Sequence, residues 1–247
     1  MILFNGKTVW VTGAGSGIGA ETARQFHESG AKVIGFDISF PAIMPFETIT
    51  LDISNADAVQ LTCSALLEKV GLDILVNCAG TLRFGPTETF TRHDWEHTFN
   101  VNVGAAFNLF HLLIPHFKRQ CRGNIVSVVS NAAHVPRVNM SIYCASKAAM
   151  RSLCLSVGLE LAPFNVRSNL VSPGSTKTPM LESMLNDTEG YQRLIHGLPE
   201  QFKLGIPLGK IAQPNDIASA ILFLASEQAN HITLQDIVID GGATLGA

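Results

Sequence analysis

"VTGAGSGIGA" (residues 11–20) frames the reading of the rest of this chain. It follows "KTVW" (7–10), a β-branched apolar run of strand length, and leads into helical spacing from about Ile18 to Ser29, closed by Gly30. A glycine-rich turn between a buried strand and a helix start lets backbone approach a ligand closely. Free N–H groups and the helix dipole favour a diphosphate there. Gly13, Gly17 and Gly19 supply that turn, with Ser16 and Ile18 beside them. Their spacing, T-G-x-x-x-G-x-G, departs from the commonest dinucleotide fingerprint. S-adenosylmethionine is also held by such loops, so this one leaves the nucleotide open.

The same alternation continues along the chain. Strand-like runs lie at 31–37, 47–53, 72–80, 123–130, 166–174 and 236–242. Helical spacing covers 55–69, a long helix about 94–118, then 141–161 and 214–225. Strands apolar along their whole length imply a parallel sheet covered on both faces. The expected architecture is α/β: a doubly wound sheet of about seven parallel strands in a single domain over 1–247. One excursion interrupts it. Residues 175–210 are polar and methionine-containing, with several glycines and prolines, and are expected to form a lid over a site.

Bulk composition narrows the partners. Apolar residues make up 47% of 247, charged residues 15%, and the net charge is −3 with no basic block. That argues against nucleic acid or an anionic membrane as partner. The N-terminus shows no signal-peptide pattern and no span. Five cysteines without a C-x-x-C pair suit free thiols in a reducing compartment, so a cytoplasmic protein is expected.

Asp37 ends the second strand, 18 residues after Gly19, with no arginine or lysine beside it. A carboxylate there accepts from ribose hydroxyls and repels a 2′-phosphate, which favours NAD over NADP. Asp52 and Ile53 end the third strand, where Asp52 either meets an adenine or stabilises the next turn. "YCASK" (143–147) puts Tyr143 and Lys147 a turn apart on one helix face. A phenol with a pKa of about 10 becomes a usable base only if nearby cations lower it by about three units, roughly 4 kcal/mol. Ser130, at the end of the fifth strand, can point into the same crevice. "HDWEH" (93–97) is weighed as a metal motif and set aside; Thr91 and Asp94 suit a helix start, and no metal is expected.

These pieces together resemble the short-chain dehydrogenase/reductase family over the whole length: "TGAGSGIG", Asp37, "NCAG" (77–80), Asn102, Ser130, "YCASK" and "PGSTKT" (173–178). The resemblance implies a Rossmann-type fold, an NAD-dependent enzyme and a homotetramer. It implies Tyr143 as acid/base, Lys147 lowering its pKa and holding the ribose, Ser130 steadying the reacting oxygen, and Asn102 supporting a water relay. It also implies cofactor contacts from Asn77, Ala79 and Gly80, and a nicotinamide loop of Pro173, Gly174, Thr176 and Thr178. Cys78 departs from the family's N-N-A-G. The C-terminal third, with "ITLQD" (232–236), narrows the resemblance to members that oxidise a carboxylated cyclic diol to a catechol. A cation is then expected near Tyr143, from Arg83, His134 or Arg137, and Met180 as ring packing. Two other readings stay open: another cyclic alcohol or 3-oxoacyl substrate, and a noncatalytic dinucleotide-binding protein.

Overall fold

In the computed structural model, which describes residues 3–41, 43–185 and 189–246, seven parallel strands form one sheet in the order β3-β2-β1-β4-β5-β6-β7. The inner strand β1 (Thr8–Thr12) is buried along its whole length. It pairs with β2 (Lys32–Asp37) on one side and β4 (Ile74–Asn77) on the other, so Val9 sits between Val33 and Ile74. β3 (Glu47–Thr50) extends the first side. β5 (Gly123–Val128), β6 (Val166–Pro173) and β7 (Asp236–Ile239) extend the second. The chain thus winds outward from β1, returns, and winds the other way. The crevice at such a switch point lies outside the carboxyl ends of β1 and β4.

Alternation along the strands explains why both faces are covered. Val9 and Val11 point to one side and pack with Phe26 of α1 (Gly17–Glu28) and with Ile217 and Ile221 of α8 (Pro214–Ala225). Trp10 points to the other, into a cluster with Cys63 of α2 (Ala56–Val70), Leu113 of α4 (Ala105–Gln120) and Cys154 of α5 (Ser141–Leu161). A strand buried on both faces needs no polar side, which is why these runs read as continuous apolar stretches.

The strands stop earlier than the apolar runs do, for local reasons. β3 ends at Thr50 because the Asp52 carboxylate accepts from the Ser54 N–H and hydroxyl, at 2.9 and 2.7 Å, and turns the chain. β4 ends at Asn77 because the next two amides, of Cys78 and Ala79, donate to the Thr12 hydroxyl at 3.0 and 3.2 Å. The long helix of 94–118 is a composite. α3 (Arg92–Phe99), capped by reciprocal Thr91–Asp94 bonds, runs into a π turn over Asn100–Gly104 and then into α4. Asn102 lies in that π turn, a feature often found at functional sites.

The excursion between β6 and α8 holds two short helices, α6 (Pro179–Glu182) and α7 (Gly190–His196), and a 3-10 turn at Pro199–Gln201. The lid expected at 175–210 includes residues 186–188, which lie outside the described residues. No described helix is long and apolar enough to cross a membrane.

Candidate active site

A cavity of about 510 Å³ occupies the crevice at the carboxyl ends of the strands. One end lies against Asp37, Asp52 and Ile53. Its middle follows the turn from Gly13 through Ser16, Ile18 and Gly19, faced by Ala79 and Gly80. The other end holds Ser130, Tyr143 and Lys147, closed by Pro173, Gly174, Thr176 and Thr178.

The glycine turn fits a diphosphate for steric reasons. Gly13 has φ +68°, and a side chain there would sit 2.8 Å from the Ala79 nitrogen. A Cβ at Gly19 would collide with the Gly13 carbonyl. Gly17, at φ +53°, lies beneath Thr178, whose methyl would be 3.1 Å from any Cβ added there. Ser16 caps α1 without using its side chain, and the first turn of α1 carries no acid. A helix N-terminus with free donors and no competing anion suits a dinucleotide's diphosphate. Asp37 is anchored beside it, accepting from the Gly15 N–H at 2.8 Å and its own neighbour Ile38 N–H at 2.7 Å. Those bonds leave the carboxylate on the cavity wall, where a ribose diol can share it.

At the chemical end, α5 puts Tyr143 in its first turn and Lys147 one turn later. The dipole of the helix start favours a phenolate at Tyr143. Burial acts in the opposite sense and dominates: it pushes the phenol up to about 12, against a lowering hydrogen bond with Ser130. Burial also pulls the Lys147 ammonium down to about 8, while the Cys78 and Cys154 sulfurs oppose it. In the protein alone, burial outweighs whatever lowering the neighbouring groups supply. With its pKa raised in this way, the phenol is protonated at neutral pH. Lys147 Nζ donates to the Val128 carbonyl at 3.1 Å and stands 5.8 Å from the Tyr143 ring centre. Ala132, Met140 and Leu82 form an apolar wall around the tyrosine.

Several expected residues do not reach the cavity wall. Asn102 is buried, and its amide is fully engaged: its oxygen accepts from Thr81 N–H at 2.7 Å. Its nitrogen donates to the Thr81 carbonyl and the Ser146 hydroxyl, at 3.0 and 2.9 Å. It ties the loop after β4 to α5, the helix that carries Tyr143 and Lys147. Asn77 turns inside, donating to Ser127 at 3.1 Å, with its own oxygen unpaired. Arg83 is exposed and bonds Asp94 at 2.8 Å. His134 faces away, bonded at 2.9 Å to Asp236, a carboxylate that also accepts from Arg151 and Ser172. Both corrections have one cause: a nearby acid holds each side chain away from the cavity. Of the three cations expected to meet the substrate, Arg137 alone lines the cavity, along with Met180. Lys203 lines it as well. Sequence reasoning missed it, because nothing in the excursion's pattern shows which way that side chain turns. His93 and His97 stack at 6.0 Å, with Asp94 held by Thr91 and Arg83.

Residues 13–244 match the family model described as enoyl-(acyl carrier protein) reductase. The chain belongs to the short-chain dehydrogenase/reductase family. A 2,3-dihydro-2,3-dihydroxybenzoate dehydrogenase of Escherichia coli is 57% identical to it over 99% of both chains. One of Bacillus subtilis is 41% identical, covering 98% of this chain and 97% of its own. A 7α-hydroxysteroid dehydrogenase solved with NADH and 7-oxoglycochenodeoxycholic acid superposes with TM-score 0.88 at 30% identity, over 98% of this chain and 95% of that one. For a short-chain dehydrogenase/reductase, one cavity holding a glycine turn, an acidic strand end and a Tyr–Lys–Ser group is an oxidoreductase site in its geometry as well as its ancestry.

Proposed function

We propose that the protein oxidises 2,3-dihydro-2,3-dihydroxybenzoate to 2,3-dihydroxybenzoate with NAD, supplying the catechol unit of an enterobactin-type siderophore. The observation that carries this reading is the 57% identity to the E. coli dehydrogenase over essentially both full lengths. The cavity's charge supports it. Asp37 lies where a 2′-phosphate would be repelled, which favours NAD over NADP. Arg137 puts a positive charge on the wall of the cavity that holds Tyr143, for a substrate that bears a carboxylate.

NAD, when bound, supplies a hydride acceptor and a positive ring. Tyr143 accepts the proton of the ring carbinol as its carbon loses hydride. Ser130 holds the reacting oxygen, and Lys147 holds the ribose while adding positive charge near the phenol. The resulting ketone enolises by losing the neighbouring ring proton, which gives the aromatic catechol. Aromatisation makes the oxidation strongly favourable. Asn102 positions the Thr81 loop and α5 through its amide bonds.

The reading extends to assembly and compartment. Phe107 on α4 and Leu159 on α5 are 55% and 65% exposed, apolar surface that a homotetramer built through the long helices would cover. All five cysteines are free, as suits a cytoplasmic protein.

The test is NADH formation, followed by near-ultraviolet absorbance, from NAD and 2,3-dihydro-2,3-dihydroxybenzoate, with NADP in parallel and Tyr143→Phe as control. An NAD-selective signal, lost about a thousandfold in the variant, is expected. No turnover by folded protein that binds NADH would refute the substrate assignment. Turnover of 3-oxoacyl or steroid substrates instead would favour the broader family activity.

A further inference from the structure

Besides Lys147, the cavity is lined by two further basic side chains, Arg137 and Lys203, and the reading above uses only Arg137 to meet the substrate carboxylate. Arg137 stands on the segment between Ser130 and α5. Lys203 lines the same cavity from the excursion that follows β6. Among the described residues, neither side chain has an ion-pair partner.

The placement of Lys203 reverses the usual pattern of a surface segment. Its neighbours Phe202 and Leu204 are 87% and 74% exposed, whereas the lysine is half-buried and lines the cavity. The backbone holds it in that orientation. Leu198 and Lys203 exchange both main-chain bonds, at 2.9 and 3.1 Å, across the 3-10 turn. Phe202, between them, takes a left-handed φ of +57°, a conformation that a bulky residue adopts only when its surroundings impose it. A segment that turns an ammonium inward and two apolar side chains outward is built around the ammonium.

No described carboxylate forms an ion pair with either charge. Burial lowers the pKa of both Arg137 and Lys203, and the arginine's charge lowers the lysine's further. The titratable groups that act on them are Cys144 and Asp240. Burial pushes the Cys144 thiol up, so it stays neutral. Asp240 is taken up by its own loop, accepting from Thr244 at 2.8 Å, Gly242 N–H at 2.9 Å and Asn131 at 3.2 Å. Two cations without ion-pair partners, lining one cavity and close enough for the arginine's charge to act on the lysine, make a site for an anion.

We propose that Arg137 and Lys203 clamp the substrate carboxylate from two sides, with Lys203 as a specificity residue supplied by the excursion over the cavity. This rests on the substrate reading above, because it needs a carboxylate on the ring that bears the reacting carbinol. Ser130 and Tyr143 hold the carbinol, the clamp holds the carboxylate, and the ring lies between them against Met140 and Met180.

The test compares two substrates at saturating NAD: 2,3-dihydro-2,3-dihydroxybenzoate and the carboxyl-free cyclohexadiene diol. Wild type, Lys203→Met and Lys203→Arg are assayed on both. Lys203→Met should raise KM for the acid about ten- to a hundredfold and lower the acid-over-diol preference in kcat/KM by a similar factor. Lys203→Arg should restore most of that preference. An unchanged preference in Lys203→Met overturns the clamp. A wild type that oxidises neither compound refutes the substrate reading instead, and the clamp's premise with it. If Lys203→Met loses NADH binding, wild type alone gives the answer by titration with 2,3-dihydroxybenzoate and with catechol. Added salt should weaken the acid's binding well beyond the catechol's. Equal salt dependence would also overturn the clamp.

Discussion

Lys147 anchors its ammonium on the Val128 carbonyl at 3.1 Å, one helical turn from Tyr143 and 5.8 Å from the centre of its ring. The amine belongs to α5 and its acceptor to the end of β5, so the sheet holds the cation beneath the phenol. That distance permits electrostatic help without a direct bond, and it yields two predictions.

The first concerns activity. The phenol must lose its proton to act as base, so kcat/KM for oxidation rises with pH until the tyrosine is ionised. Burial holds that group at about 12 in the protein alone, and Lys147, at about 8, is still mostly charged at neutral pH. Lys147→Met removes this charge. Its rising limb should move to higher pH, costing about tenfold at neutral pH for each pH unit moved. A profile of kcat/KM between about pH 6 and pH 10 measures it; an unmoved limb would confine Lys147 to holding the ribose.

The second concerns stability. Lys147 has a folded pKa of about 8 against an ordinary 10.5, so between those values the unfolded chain binds the extra proton. Stability from this group therefore rises with pH through that window, and at neutral pH the buried charge is a cost. Lys147→Met should be more stable than wild type at neutral pH by on the order of 2 kcal/mol, with the gap closing toward pH 10.5. Tyr143, raised to about 12, adds stability in both proteins that is lost only as pH rises from about 10 toward 12. Urea denaturation at a series of pH values reads the gap directly.

Asp37 has two tasks that one substitution separates. Its carboxylate holds the Gly15 amide at 2.8 Å and faces the ribose end of the cavity. Asp37→Asn keeps an acceptor for the amide but removes the charge. Selectivity for NAD over NADP should fall about tenfold or more, while stability changes by about 1 kcal/mol or less. Titrating both reduced cofactors by fluorescence, beside thermal melts, checks the two effects separately.

His134 and Arg83 should behave as structural residues. The His134–Asp236–Arg151 group joins the loop after β5 to β7 and α5, with the Asp236 side chain only 4% exposed. Asp236→Ala should cost about 3 kcal/mol in urea denaturation, because it leaves Arg151 without its anion and His134 without its hydrogen-bond partner. His134→Ala should cost less and leave KM for the diol acid within about twofold. Arg83→Ala, losing one exposed pair, should change stability by about 0.5 kcal/mol or less. A tenfold rise in KM from either His134→Ala or Arg83→Ala would return that residue to the substrate.

Much of this protein is written in local pattern. Strand-length apolar runs alternating with helical spacing are enough to imply a doubly wound parallel sheet, because only a sheet covered on both faces uses strands with no polar side. Gly13, Gly17 and Gly19 are legible for a similar reason: the turn's geometry forbids any side chain there, and the residue type records the prohibition. Tyr143 and Lys147 share a face because the helix period puts them there. Direction and competition are not recorded in this way. Arg83, His134 and Arg137 look alike as loop cations near the active-site motifs. Which of them faces the cavity depends on acids 11 and 102 residues away, Asp94 for Arg83 and Asp236 for His134. Lys203 lies in an excursion with no periodicity, so its inward turn depends on a backbone exchange with Leu198 and on a left-handed Phe202. Chain pattern determines which elements form and which residues sit at their ends. Folding then determines which charges are neutralised by distant partners and which remain to meet a ligand, because ion pairing depends on distances that exist only once the sheet has closed.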